Sequence, residues 1–143
     1  MTPLTVHRVA GSLLVLATLA LPSCGSDAET GGDPRTFDLV ADDAGGTLSV
    51  RPDDRIVITL ESNATTGFAW ELTSEPASEV LELVGSEYVE PETDLVGAGG
   101  EEVWRFRAMA EGTTSLALTY MRSFSGETAG DPFELTVVVQ PAG

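Results

Sequence analysis

The side chains able to do chemistry are few, and most sit where they cannot do it. The single histidine (His7) and single cysteine (Cys24) of this 143-residue chain lie within its first 24 residues, and lysine is absent. Beyond Cys24 the chain therefore offers no imidazole and no amine for Schiff-base formation. Ser–His and Cys–His nucleophile pairs and His-ligated metals each need a group that this part lacks. What remains is carboxylate, since all 23 Asp and Glu residues follow Cys24. A carboxylate pair can hydrolyse glycosides, but among so many acids no pair stands out. The doublets Asp42-Asp43 and Asp53-Asp54 lack the alternating spacing of a calcium loop and read as turn residues that accept local N–H bonds. The expectation is a protein that is not an enzyme and takes no metal or cofactor.

Charge narrows the partners. After Cys24, six arginines face 23 acids, a formal charge of −17. Such a surface repels phosphate backbones, which excludes nucleic acid, and repels anionic headgroups, so any membrane attachment must be covalent. Glu75 to Asp94 holds seven acids and no base. The plain reading is a solvated face; the sharper one is steering toward a basic partner.

The first residues read as an export signal. Met1 to Arg8 is short and basic, Val9 to Leu21 is an uncharged apolar run, and Leu21-Pro22-Ser23-Cys24 follows. Thirteen apolar residues suit a signal core and fall short of a membrane span. A buried N-terminal helix is the alternative, but it would need a polar face that is missing. The sequence around Cys24 resembles a bacterial lipobox, in which cleavage before the cysteine is coupled to lipidation of its thiol. Residues 1–23 are thus expected to be a lipoprotein signal peptide. Residues 24–35 would be a lipidated cysteine with a polar, Gly-rich tether, and 36–143 the functional domain. The expected location is the outer face of a bacterial membrane, held by the lipid on Cys24.

Three segments of the domain concentrate small, polar and exposed-aromatic residues. The first is Asn63-Ala64-Thr65-Thr66-Gly67-Phe68-Ala69-Trp70, the second Gly97-Ala98-Gly99-Gly100, and the third Tyr120-Met121-Arg122-Ser123-Phe124. As plain loops, Asn63 would make an Asx-type bond and Gly67 a left-handed turn. Asn63-Ala64-Thr65 also fits the N-glycosylation pattern, a coincidence if the chain is bacterial. Gly97 to Gly100 lacks the strand–helix context of a phosphate cradle and reads as a hairpin tip with bare backbone. Arg122 and Phe124 place a cation and a large aromatic on a loop, a pairing enriched in binding hot spots. Alternatively, Arg122 simply pairs with a surface acid. Trp70 alternates with Phe68 and Leu72, which assigns it to a core.

The elements that must position these loops are strands. Apolar residues alternate in Ile56–Leu60, Trp104–Ala108, Leu116–Tyr120 and Phe133–Val139, the signature of strands with one face buried. Further strands are expected at Arg35–Val40, Leu48–Arg51, Phe68–Thr73 and Val80–Tyr88, although Val80–Leu83 also hints at a helical turn. Turn residues separate them at Asp42–Gly46, Pro52–Asp54, Glu111-Gly112 and Gly130–Pro132. Seven to eight short strands in one domain indicate an all-β, immunoglobulin-like antiparallel β-sandwich.

Together and in this order, the three segments resemble the chagasin family of proteinaceous inhibitors of papain-like cysteine peptidases. The family pattern is Asn-Pro-Thr-Thr-Gly-aromatic-x-Trp, then Gly-x-Gly-Gly, then Arg-Pro-Trp or Arg-Pro-Phe, and the likeness spans Arg35 to Gln140. It implies a reversible, competitive inhibitor whose three loops lie side by side at one end of the sandwich and plug a peptidase cleft; a monomer is expected. The implied contacts are Asn63, Thr65, Thr66, Gly67 and Phe68, then Gly97, Gly99 and Gly100, then Arg122 and Phe124. Ala64 and Ser123 stand where the family often has proline, and Phe124 where it often has tryptophan. The rival expectation is a lipid-anchored binding or adhesion module that uses the same loops for a partner other than a peptidase.

Overall fold

The computed structural model describes residues 32–142. The export segment, Cys24 and the first part of the tether lie outside the described residues. The rest forms eight strands: β1 (Thr36–Leu39), β2 (Gly46–Val50), β3 (Arg55–Ser62), β4 (Ala69–Ser74), β5 (Leu81–Val89), β6 (Gly100–Ala108), β7 (Gly112–Met121) and β8 (Phe133–Val139). They build two four-stranded sheets, ordered β1-β3-β6-β5 and β2-β8-β7-β4. The all-β sandwich expected from alternation is the observed fold.

The alternating residues fill the space between the sheets. Ile56, Ile58 and Leu60 of β3 meet Trp104, Phe106 and Ala108 of β6 on one side. Leu116 and Leu118 of β7 meet Phe133, Leu135, Val137 and Val139 of β8 on the other, and all are buried. Fully burying a side chain of this size stabilises the fold by about 1.5–3 kcal/mol. The helical turn suspected at Val80–Leu83 lies earlier in the chain, because Leu81 to Leu83 already belong to β5. Val80 and Leu81 both donate to the Ala77 carbonyl, at 2.9 Å each, before β5 begins.

Not every pairing is antiparallel. The edge strands β1 and β2 run parallel to β3 and β8, and the remaining four pairings are antiparallel. β1 and β2 are consecutive but belong to opposite sheets, so neither forms a hairpin with its sequence neighbour. Each pairs instead with a strand that shares its direction.

Strand direction also decides where the loops fall. Successive strands alternate up and down, so every second connection reaches the same end. The β3–β4, β5–β6 and β7–β8 connections, which carry the three segments singled out above, share one pole. At the other pole Arg35 leads into β1, whose Thr36 pairs with Arg55 at the start of β3. The eight residues of β3 separate the two ends by roughly 25 Å at a strand's rise per residue.

That far pole is organised around one carboxylate. Asp54 is 1% exposed. It accepts from the Arg35 amide (2.9 Å), from Arg35 Nε (3.2 Å) and Nη2 (2.7 Å), and from the Arg51 amide (2.8 Å). Burial opposes its ionisation. The hydrogen bonds from the Arg35 side chain and from the Arg51 and Arg35 amides outweigh that, and its pKa lies below the ordinary 3.8. The preceding turn uses Pro52 and then Asp53 at φ +72°, a left-handed position that aspartate tolerates better than most residues.

Candidate functional site

The first loop is a closed turn. Residues 64–66 form one turn of 3-10 helix capped by Asn63, and Gly67 ends it at φ 78°. A residue with a Cβ is disfavoured there, which is the local reason for the glycine. The Asn63 side chain accepts from the Thr65 amide (3.1 Å) and the Thr65 hydroxyl (2.6 Å). The Thr66 hydroxyl donates to the Asn63 carbonyl at 2.7 Å. Both threonine hydroxyl protons are thus engaged within the loop. Toward an outside partner these oxygens are acceptors, a division of labour that residue types alone do not reveal.

The second loop touches the first through Asn63. Its side-chain amide donates to the Gly97 carbonyl at 3.0 Å. A Cβ added to Gly99 would stand 3.6 Å from the Asn63 Cβ, in ordinary contact. Gly100 is constrained differently, because a Cβ there would lie 2.1 Å from the Val89 carbonyl oxygen. The missing side chain at Gly100 is therefore required by the chain's own β5–β6 hairpin. Leu95 and Val96, just before the glycines, are 75% and 104% exposed. Sequence reading passed over them, although two adjacent aliphatics beside a Gly-rich tip were the available signal.

The third loop closes the edge from the other side. Arg122 donates from Nε to the Thr66 carbonyl (3.1 Å) and from Nη1 to Glu127 (2.7 Å). Its guanidinium lies 4.4 Å above the Phe68 ring, a cation–π geometry. Of the two sequence expectations for Arg122, the pairing with a surface acid is observed, and the same side chain also clamps the first loop. Phe68 packs on Tyr120 at 5.3 Å and Trp70 on Tyr120 at 5.2 Å, both tilted. A column of four side chains thus runs from Arg122 down to Trp70. Trp70 is half-buried against the core and donates its indole N–H to the Glu61 carbonyl at 2.9 Å, as its place in the alternation implies. Tyr120 accepts from the Asn63 amide at 2.9 Å. Phe124 stands free at 82% exposure, and a Cβ on Gly67 would come within 3.6 Å of its ring.

The ten singled-out residues therefore form one continuous edge. The Asn63–Phe68 turn sits in the middle, the glycine loop on one flank and Arg122 with Phe124 on the other. Asn63 and Arg122 tie the edge together, and it offers exposed threonine oxygens, bare glycine backbone and the Phe124 ring.

Comparison with known proteins agrees. The family described as "Chagasin family peptidase inhibitor I42" matches residues 49–137. Chagasin of Trypanosoma cruzi is 41% identical over 85 residues, covering 57% of this chain and 77% of the relative. This chain belongs to the chagasin family of peptidase inhibitors, and so is not an enzyme. In fold it is similar to the crystal structure of a cysteine protease inhibitor from Entamoeba histolytica. The TM-score is 0.68 at 23% identity, covering 77% of this chain and all of that one. It is also similar to PbICP-C, solved in complex with falcipain-2, with a TM-score of 0.55 at 20% identity, covering 77% of this chain and 96% of that one.

Proposed function

We propose that this protein is a reversible, competitive inhibitor of papain-like cysteine peptidases, and that the three-loop edge enters the active-site cleft. The observation that carries this reading is the clamp. Arg122 and Asn63 join the second and third loops to the Thr65-Thr66-Gly67 turn, so the edge meets a partner already shaped. A pre-ordered surface loses little entropy on docking, and protease–inhibitor interfaces of about 800 Å² per partner are typical of such rigid pairs.

The turn also explains how such a loop enters a cleft without becoming a substrate. Cleavage needs an extended segment with a carbonyl open to attack. Here the Asn63 carbonyl accepts from the Thr66 amide (3.1 Å), the Ala64 carbonyl from the Gly67 amide (3.3 Å), and the Thr66 carbonyl from Arg122 (3.1 Å). The chain at the tip is wound up, and Gly67 brings its backbone close to the partner. Phe124, exposed beside it, supplies rigid apolar area along the cleft rim.

The test is titration of papain with the protein at several substrate concentrations. Competitive inhibition that is lost in Thr66→Lys supports the reading, and a parent inactive at micromolar concentration overturns it.

The lipobox-like sequence supports a second part of the proposal: the monomeric inhibitor is exported and held on the outer face of a bacterial membrane by lipid on Cys24. Arg35 enters the sandwich at the pole away from the loops, which suits a tether. Mass spectrometry of the membrane fraction tests it: a mature chain that begins at an acylated Cys24 is expected, and an unacylated one refutes the anchor.

A further inference from the structure

The core-facing row of β6 runs Ala108, Phe106, Trp104 and then, at the loop pole, Glu102. The core-facing row of β3 runs Ile56, Ile58, Leu60 and then Ser62, which is 4% exposed. Two polar residues thus replace apolar ones directly beneath the binding edge. Their side chains meet: Ser62 donates its hydroxyl to Glu102 Oε1 at 2.7 Å. The same oxygen accepts the Trp70 backbone N–H at 3.0 Å. Trp70 lies on β4, an edge strand of the opposite sheet, so this bond crosses the gap between the sheets. Ser62 immediately precedes the Asn63–Phe68 loop and Trp70 closely follows it. One carboxylate oxygen therefore holds both stems of the central loop. None of the four ion pairs among the described residues includes Glu102. It is kept at a core position by neutral donors alone.

We propose that Glu102 is a positioning residue for inhibition. It fixes the separation of the two stems and thereby the height and tilt of the Thr65-Thr66-Gly67 turn. If Glu102 merely filled the top of the core, leucine would serve as well or better there, since it adds apolar burial. If it positions the loop, leucine frees both stems while leaving the core filled. Glutamine keeps an oxygen acceptor in place. This assignment rests on the inhibitor reading above.

The experiment compares the parent, Glu102→Leu and Glu102→Gln by thermal unfolding, by inhibition of papain and by amide hydrogen exchange at Trp70. For Glu102→Leu, loss of two bonds to one acceptor predicts roughly 10-fold weaker inhibition, chiefly through faster dissociation. Trp70 exchange should accelerate at least as much. Glu102→Gln should stay within about threefold of the parent, because its side chain can still accept. Should Glu102→Leu fail to fold, Ser62→Ala removes one of the two bonds and is expected to weaken inhibition by about threefold. The parent's own inhibition is read first, and its absence sinks the inhibitor reading. A potent parent matched by an equally potent folded Glu102→Leu, or by Ser62→Ala where Glu102→Leu does not fold, sinks the Glu102 assignment alone. So does Trp70 exchange that is unchanged in Glu102→Leu.

Discussion

The two poles of the sandwich solve the problem of holding loops in opposite ways. At the pole where Arg35 enters, a buried carboxylate gathers four donors and is charge-paired. At the loop pole the turn is held by hydrogen bonds among exposed groups, and a single guanidinium spans two loops. The first arrangement secures the chain to the fold. The second fixes a shape and leaves it in solvent, where a partner can reach it. Changes at the two poles should therefore separate stability from binding.

The largest separation is expected from Thr66→Lys. A long cation at the tip of the turn should weaken inhibition at least about 100-fold, close to 3 kcal/mol, while the melting temperature falls only slightly, since the hydroxyl bond it removes is solvent-exposed. Equal potency would remove the turn from the interface. Next comes Asp54→Ala at the far pole. Removing the acceptor from a buried pair costs about 3–5 kcal/mol. The lower end is expected, since the Arg35 side chain is 46% exposed and can turn to water. Denaturant unfolding should show that loss while the folded variant inhibits like the parent, and a parallel loss of potency would mean the poles are coupled.

A pH series sharpens the same contrast. The Asp54 pKa is lower in the folded protein than its ordinary 3.8. Its contribution is thus complete above the unfolded value and disappears as pH falls toward the folded one. Melting temperature should drop below about pH 4 in the parent and more gently in Asp54→Asn. An identical slope in both would assign the acid limb to other carboxylates. The smallest effect expected is from Ala64→Pro. Ala64 is the first residue of the 3-10 turn and follows Asn63 at φ −120°, ψ 95°, a backbone that accepts a following proline. Pre-setting its φ should strengthen inhibition by about two- to fivefold through a stiffer loop. The matching change at Ser123 is less clean, because the Ser123 hydroxyl donates to Glu71.

Much of this was legible in the chain. Period-two alternation located the strands because inward and outward residues differ in kind on β3, β6, β7 and β8. The loops were legible because Gly67 and Asn63 act through local backbone geometry. The parallel pairing of β1 and β2 was hidden, since these short edge strands carry little apolar pattern and their partners are distant in sequence. Glu102 was half visible. It breaks the alternation that Trp104, Phe106 and Ala108 establish, but composition does not say which amide it accepts from. Nor could residue types show that the Thr65 and Thr66 protons point inward, or that Val89 leaves no room for a Cβ at Gly100.

The way the backbone enters the sandwich has a practical corollary. Whatever grips the segment ahead of Arg35, whether acyl chains, a bead or a fused neighbour, joins the sandwich at the end opposite the blocking edge. An immobilised copy should thus present its working end outward without a spacer, and capture of an active peptidase on such a surface needs no engineering of orientation.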